Sequence, residues 1–450
     1  MDSNNDNVNQ LELPPDVAPL PKNWTYKVLG DLVDQSRRIS YGVVQPGTQN
    51  PQGIPIIRVN NLRQGKIITE DLKLVDPEIE QKYERTRLRG GEVLLSLVGT
   101  LGETAIVPNE LAGWNVARAV AVIPGLPSVN SRWIHLCLRS PQVQHYIRTW
   151  ATTTVQATFN LRDAAKLPIP MPPKEEIEVI AHILGSLDDK IELNQQMNQT
   201  LEGIARALFK SWFIDFDPVR AKLDGRQPYG MDAETAALFP NSFEDSPLGK
   251  IPKGWEIQPL DKIANFLNGL ALQKYPPEDE NFIPVIKIAE MRKGITENSG
   301  KASPNIDGQY IIADGEILFS WSGSLEVVIW CDGIGALNQH LFKVTSNKYP
   351  KWFFYHWVKS HLANFQAIAA SKATTMGHIQ RRHLTEALTV VAPQQILEVA
   401  DKEMSPLLDR LIANKLENRT LSSIRDFLLP KLLSGEICVK DAEETVAEVA

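Results

Sequence analysis

The chain repeats itself, and that constrains its fold more than any other feature. LPKNWTYKVLGDLVD from Leu20 returns as IPKGWEIQPLDKIAN from Ile251, matching Pro21 to Pro252, Lys22 to Lys253, Trp24 to Trp255 and Leu29 to Leu260. GIPIIRVNNLRQGKI from Gly53 answers FIPVIKIAEMRKGIT from Phe282, and GGEVLLSLVGTLGETAIV from Gly90 answers DGEILFSWSGSLEVVIW from Asp314. The offset drifts from 231 to 220 along the chain, as insertions in loops between common elements would make it. Two copies of one fold are therefore expected. Within each, the short apolar runs EVLLSLVGT and EILFSWSGS, closed by Gly, read as buried strands ending in tight turns, and IPIIRV and IPVIKI read likewise. Each copy is expected to be a compact, strand-rich mixed domain of about 150 residues.

After Pro172 and Pro173 the apolar period becomes 3.5. Ile177, Ile180, Leu184, Leu187, Ile191, Asn194, Asn198, Leu201, Ala205 and Leu208 form a coiled-coil seam that is apolar except at its two Asn. The second copy carries Leu397, Ala400, Met404, Leu407, Leu411, Asn414, Asn418, Leu421, Arg425 and Leu428, with Asn at the same two rungs. In an antiparallel pair Asn194 and Asn198 would meet Asn418 and Asn414 and fix the register; the competing reading leaves these Asn at the solvent edge. Pro406 should start or kink the second helix, and Gly185 and Gly203 should weaken the first. A helix from Lys174 to Trp212 would be about 58 Å long. Two such rods, head to tail, would hold the duplicated domains apart like a caliper.

The net charge of −7 argues against a polyanion partner until it is divided along the chain. Residues 20–172 hold 18 Lys and Arg against 12 Asp and Glu, and residues 250–393 hold 15 against 13. The acidic excess lies in the first 19 residues, in 173–249 and in the tail from 394. Two segments facing a polyanion and two facing protein are expected, although solvated helix faces would give a similar mosaic. Cys137, Cys331 and Cys438 are too few and too scattered for a disulfide framework or a cysteine-rich zinc site. No apolar run reaches the length of a membrane span, and MDSNNDNVNQ does not read as a signal peptide, so a cytoplasmic protein with no membrane partner is expected.

SWFIDFDPVRAKLDGRQPYGM from Ser211, ALFPNSFEDSPLGKIPKGW from Ala237, the openings LPKNW and IPKGW, and FLLPKLLSGEI from Phe427 resemble the specificity subunits of type I restriction-modification systems, from about residue 20 to 437. The resemblance implies an α+β protein with two target-recognition domains, residues 20–172 and 250–392. Two antiparallel coiled-coil helices, 173–213 and 393–436, would separate them. A linker, 214–249, an acidic extension, 1–19, and an acidic tail, 437–450, complete the chain. It implies a non-catalytic subunit that partners double-stranded DNA, two methyltransferase subunits and, in the full complex, restriction and translocase subunits. No cofactor would be bound by this chain; S-adenosylmethionine and ATP would serve the partners. Asn338-Gln339-His340 stands where the first copy has Ala117-Arg118-Ala119, so the two domains are expected to read different sequences and the site to be asymmetric. A coiled-coil assembly protein with two protein-binding domains is the alternative.

No Asn/Asp-Pro-Pro-aromatic loop for a flipped base, no GxxxxGK[ST] and no HExxH occur in the chain. Gly333 and Gly335 read as a turn, and His378 with His383 as a loop pair. Contacts to DNA are expected from basic, amide and hydroxyl side chains on loops, since Arg matches guanine edges, Asn and Gln match adenine, and Lys and Ser/Thr hold phosphates. In the first copy the candidates are Arg37, Arg38, Ser40, Tyr41, Arg58, Asn60, Asn61, Arg63, Arg85, Arg87, Arg89, Thr152, Thr153, Thr154, Gln156 and Arg162. In the second they are Lys274, Lys287, Arg292, Lys293, Trp321, Lys372, Thr374, Thr375, His378, Gln380, Arg381 and Arg382. Each competes with a plain solvated charge, and Trp321 with a place in the core.

Overall fold

The structure, a computed structural model, describes residue 14 and residues 17–63, 65–151, 157–277, 280–371 and 377–447. They form two compact units, residues 1–189 with 421–450, and residues 190–420. Both are α+β and both use one topology. In the first, a four-stranded antiparallel sheet runs in the order Ser40–Tyr41, Val120–Ile123, Val93–Ser96, Thr104–Ile106. In the second, Asn265–Asn268, Leu341–Thr345, Ile317–Ser320 and Val327–Ile329 take the same places. Val93–Ser96 and Ile317–Ser320 are buried at every residue, which is why these runs are continuously apolar instead of alternating.

A second sheet repeats as well. Ile54–Ile57 lies between antiparallel Lys73–Val75 and parallel Asn115–Val116, and Ile283–Ile286 lies between Lys301–Ala302 and Gly335–Leu337 in the same senses. Each unit is closed by an antiparallel pair joining its ends, Thr25–Val28 on Pro168–Met171 and Glu256–Pro259 on Leu388–Val391.

The two long helices are Lys174–Phe213 and Gln394–Ser434. The expectation that Pro406 would start the second is corrected, because that helix begins twelve residues earlier and continues through it. Pro406 forfeits one backbone bond, while Ala400, Met404 and Leu408 on either side are sealed in the core and hold the turn in place. Gly185 interrupts nothing either: a Cβ there would fall 1.9 Å from a guanidinium nitrogen of Arg132. That close approach lets Arg132 lie across the helix and grip Asp189 at 2.9 and 3.0 Å.

Each helix is shared between the units. Ile177, Ile180, Leu184 and Leu187 pack with Leu428 and Leu432 into the first core, with Trp133 and Ile169. Ala205, Phe209 and Phe213 pack with Ala400, Met404 and Leu411 into the second, with Trp352 and Phe353. Within the second unit the seam is antiparallel. Asn194 donates to Asn418 Oδ1 at 3.0 Å and Asn414 donates to Asn198 Oδ1 at 2.9 Å. Asn194 and Asn414 are fully buried, not at a solvent edge. Beyond the second helix, Val439–Ala447 is helical and buries Ala442 against the first unit's core.

Candidate nucleic-acid interface

One corner is built identically in the two units. In the first, Val43 bridges Ala117 in parallel and Val98 bridges Thr158; in the second, Leu270 bridges Asn338 and Ser322 bridges His378. The turn after the buried central strand is thus tied to a distant loop, through Phe159 N–H to the Leu97 carbonyl (2.8 Å) and Ile379 N–H to the Trp321 carbonyl (3.0 Å). Gly42 and Gly269 make the crossing possible. A Cβ on either would sit 1.8 or 2.2 Å from the carbonyl oxygen of Val116 or Asn338, so only glycine lets the strands pass this closely.

The side chains on this common frame differ. In the second unit the Trp321 indole N–H donates to Asn268 Oδ1 at 2.8 Å and to the Gln339 carbonyl at 3.2 Å. Ser322 Oγ meets His340 Nδ1 at 2.9 Å, and the Gln339 amide lies 3.4 Å from His340 Nε2. His378 sets its ring edge-on to Trp321. Arg381 donates to the Phe266 carbonyl at 3.1 Å and lies over the Phe342 ring. Trp321 is therefore half-buried with its polar atom already engaged, and acts as a wall of the corner. In the first unit the same corner presents Tyr41, 48% exposed, and the exposed Arg118.

Several of the expected contacts are engaged within the protein. Arg37 is buried, pairs with Glu92 at 2.7 Å and donates to the Arg87 carbonyl at 2.8 Å, so its guanidinium is internal. Asn61 is buried and clamps its own loop, donating to the Ile68 and Glu70 carbonyls at 3.0 Å. Arg87 is engaged by the wholly buried Glu80 at 2.9 Å, which Asn115 also holds at 2.8 Å. Burial pushes the Glu80 carboxyl up, but the Arg87 and Asn115 hydrogen bonds outweigh it and hold it below the ordinary value. Arg58 caps a short turn and reaches Asp71 at 3.1 Å, and Arg292 is ion-paired with Glu326. A cleft of about 380 Å³ beside the second corner is lined by Arg292, Gly323, Glu326, Gln366 and Gly377.

Arg38, Asn60, Arg63, Arg85, Arg89, Arg162, Lys274, Lys287, Lys293, Gln380 and Arg382 are exposed. Ser40 bonds back to the Arg37 and Arg38 carbonyls. Thr152, Thr153, Thr154, Gln156, Lys372, Thr374 and Thr375 lie outside the described residues. His383 Nδ1 accepts from the Gln380 N–H at 3.0 Å, a helix-capping role. Among the described residues no His, Cys, Asp and Glu group has the makings of a metal site, and no helix is long and apolar enough to cross a membrane. Asn268, Gln339 and Arg118 were not among the expected contacts; the signal that points to them is the place where the aligned copies change chemistry on an unchanged frame.

Comparison with known proteins agrees with this duplication. The family model described as type I restriction modification DNA specificity domain matches residues 21–203 and again 252–425. The chain is 28% identical over 404 residues to the type I restriction enzyme HindI specificity subunit of Haemophilus influenzae, covering 78% of this chain and 87% of that one. It is 24% identical over 444 residues to the MjaIX specificity subunit of Methanocaldococcus jannaschii, covering 95% and 96%. The crystal structure of a type I restriction-modification S subunit from M. genitalium shares the fold, with a TM-score of 0.54 at 15% identity over 94% of this chain and 98% of that one.

Proposed function

The chain belongs to the family of type I restriction-modification specificity subunits, and we propose that its two units each read one half of an asymmetric, bipartite stretch of duplex DNA. The observation that carries this reading is the corner just described: one backbone frame, made twice, with different side chains upon it. A scaffold repeated with altered recognition groups suits a target made of two unlike halves. The basic excess of residues 20–172 supports a polyanion on that side of the chain, and the acidic excess of 173–249 supports protein partners along the helices.

The seam helices set the gap between half-sites and dock methyltransferase subunits, two of them because the helix pattern is written twice. The chain itself is non-catalytic and binds no cofactor. Its partners use S-adenosylmethionine to methylate adenine and, when restriction and translocase subunits join, ATP to move along and cut DNA. The assembly works in the cytoplasm.

Co-expression with its methyltransferase partner, followed by mapping of methylated adenine across the host genome, tests the reading. One asymmetric motif with a fixed gap is the expected result. A stable complex that marks no bipartite motif sinks it. A gel-shift series discriminates the protein-binding alternative: binding to the mapped duplex should fall steeply with salt, whereas indifference to DNA at low salt favours that alternative.

A further inference from the structure

We propose that the tripeptide entering the second strand of each four-stranded sheet, Ala117-Arg118-Ala119 and Asn338-Gln339-His340, is where the two half-sites are made different, with Arg118 reading a guanine and Gln339 an adenine. This rests on the DNA-reading function above and names the residues that discriminate.

The two tripeptides are held by the same backbone hydrogen bonds. Ala117 and Asn338 donate to the carbonyls of Ile57 (2.9 Å) and Ile286 (3.2 Å). Arg118 and Gln339 donate to those of Val43 (2.9 Å) and Leu270 (2.8 Å). The carbonyls of Ala117 and Asn338 accept from Val120 (3.0 Å) and Leu341 (2.9 Å). A backbone pinned at three points fixes the place and direction in which its middle side chain leaves the chain, a first requirement for reading a base edge at one position.

The chemistry at the pinned position differs in kind. Arg118 is exposed, makes no side-chain hydrogen bond or ion pair among the described residues, and is flanked by two alanines, which carry no polar group to compete for its guanidinium. A planar fork of this sort matches O6 and N7 of guanine. Gln339 carries a donor and an acceptor on one amide, the pattern that matches N6 and N7 of adenine. Its neighbour His340, tied to Ser322 at 2.9 Å, stands beside the amide and orders it. His340 is a positioning residue in this scheme, acting through Gln339.

The test maps adenine methylation by the complex of full-length chain and methyltransferase, for wild type, Arg118→Ala, Arg118→Lys and Gln339→Ala. Arg118→Ala should relax one G·C position in one half-site by roughly 5- to 150-fold, leaving the other half-site intact. Arg118→Lys keeps the charge and loses the fork, so it should relax the same position. Gln339→Ala should relax one A·T position in the opposite half-site. An unchanged motif, a uniform loss across all positions, or relaxation in both half-sites from one substitution overturns the assignment. If wild type marks no bipartite motif, the proposed function falls and takes this assignment with it.

Discussion

At the scale of single residues, the polar rungs of the seam show how a cost in stability defines a register. Asn194 and Asn414 are wholly buried, and each gives an amide proton to an Asn across the seam. Their own carbonyl oxygens find no donor in the protein, so the arrangement is not a strong source of stability. It penalises every alignment in which the amides would face leucine. Asn414→Leu alone should therefore cost about 1–3 kcal/mol by stranding Asn198 Oδ1, read as a fall in the urea midpoint. Adding Asn198→Leu should restore most of that loss. If the two losses simply add, the pair is not coupled and the register argument fails. The same scale shows what sequence leaves open at Arg37 and Asn61: an Arg or Asn in a polar stretch reads alike whether its partner is Glu92, a backbone carbonyl or a base edge, and burial with an internal partner is visible only in the structure.

At the scale of elements, a long helix is held to its own unit by ions as well as by leucines. Asp188 lies between Arg139 and Arg425, at 2.8 Å from each, within the first unit. Burial pushes its carboxyl up, yet the two guanidinium groups outweigh that and keep it below the ordinary carboxylate value. A carboxylate lowered on folding adds stability above its unfolded value of 3.8, and the contribution disappears as pH falls through the lower folded value. Asp188→Asn should destabilise the chain near neutral pH, by at most the roughly 3–5 kcal/mol of a fully buried pair, since the Asp188 side chain is 27% exposed. Its urea midpoint should then fall less steeply than wild type as pH drops below about 5, through 3.8 and into the more acid range of the folded carboxyl. Parallel acid profiles for the two proteins would exclude this ion pair as a source of acid sensitivity. Arg425 occupies a seam position that the heptad pattern assigns to an apolar residue, and Asp188 is the reason the exception is tolerated.

At the scale of the molecule, the division into units cuts across both long helices and not between helices and domains. Leu187 belongs to the first core and Leu411 to the second, each almost fully buried. Replacing both by Asp puts a carboxylate into each core and should loosen the seam at two places. The expected readout is a changed tolerance for the length of the gap in the methylated motif, with the bases of both half-sites unaltered. A variant that remains folded by circular dichroism and keeps the wild-type gap would refute the helices as the spacing device.

The sequence by itself determined the duplication, the buried strands, the two long helices and the polar rungs, because these are written in period and in repetition, and packing has only to obey them. It also located the tripeptide at which the copies diverge. Which polar side chains remain free for a ligand was decided only by the tertiary structure. Glu92 lies 55 residues from Arg37 and Ser322 lies 18 from His340, and no local pattern encodes such pairings. The continuity of the second helix through Pro406 belongs to the tertiary structure for the same reason: a local penalty is outweighed by burial of neighbours whose partners are remote in the chain.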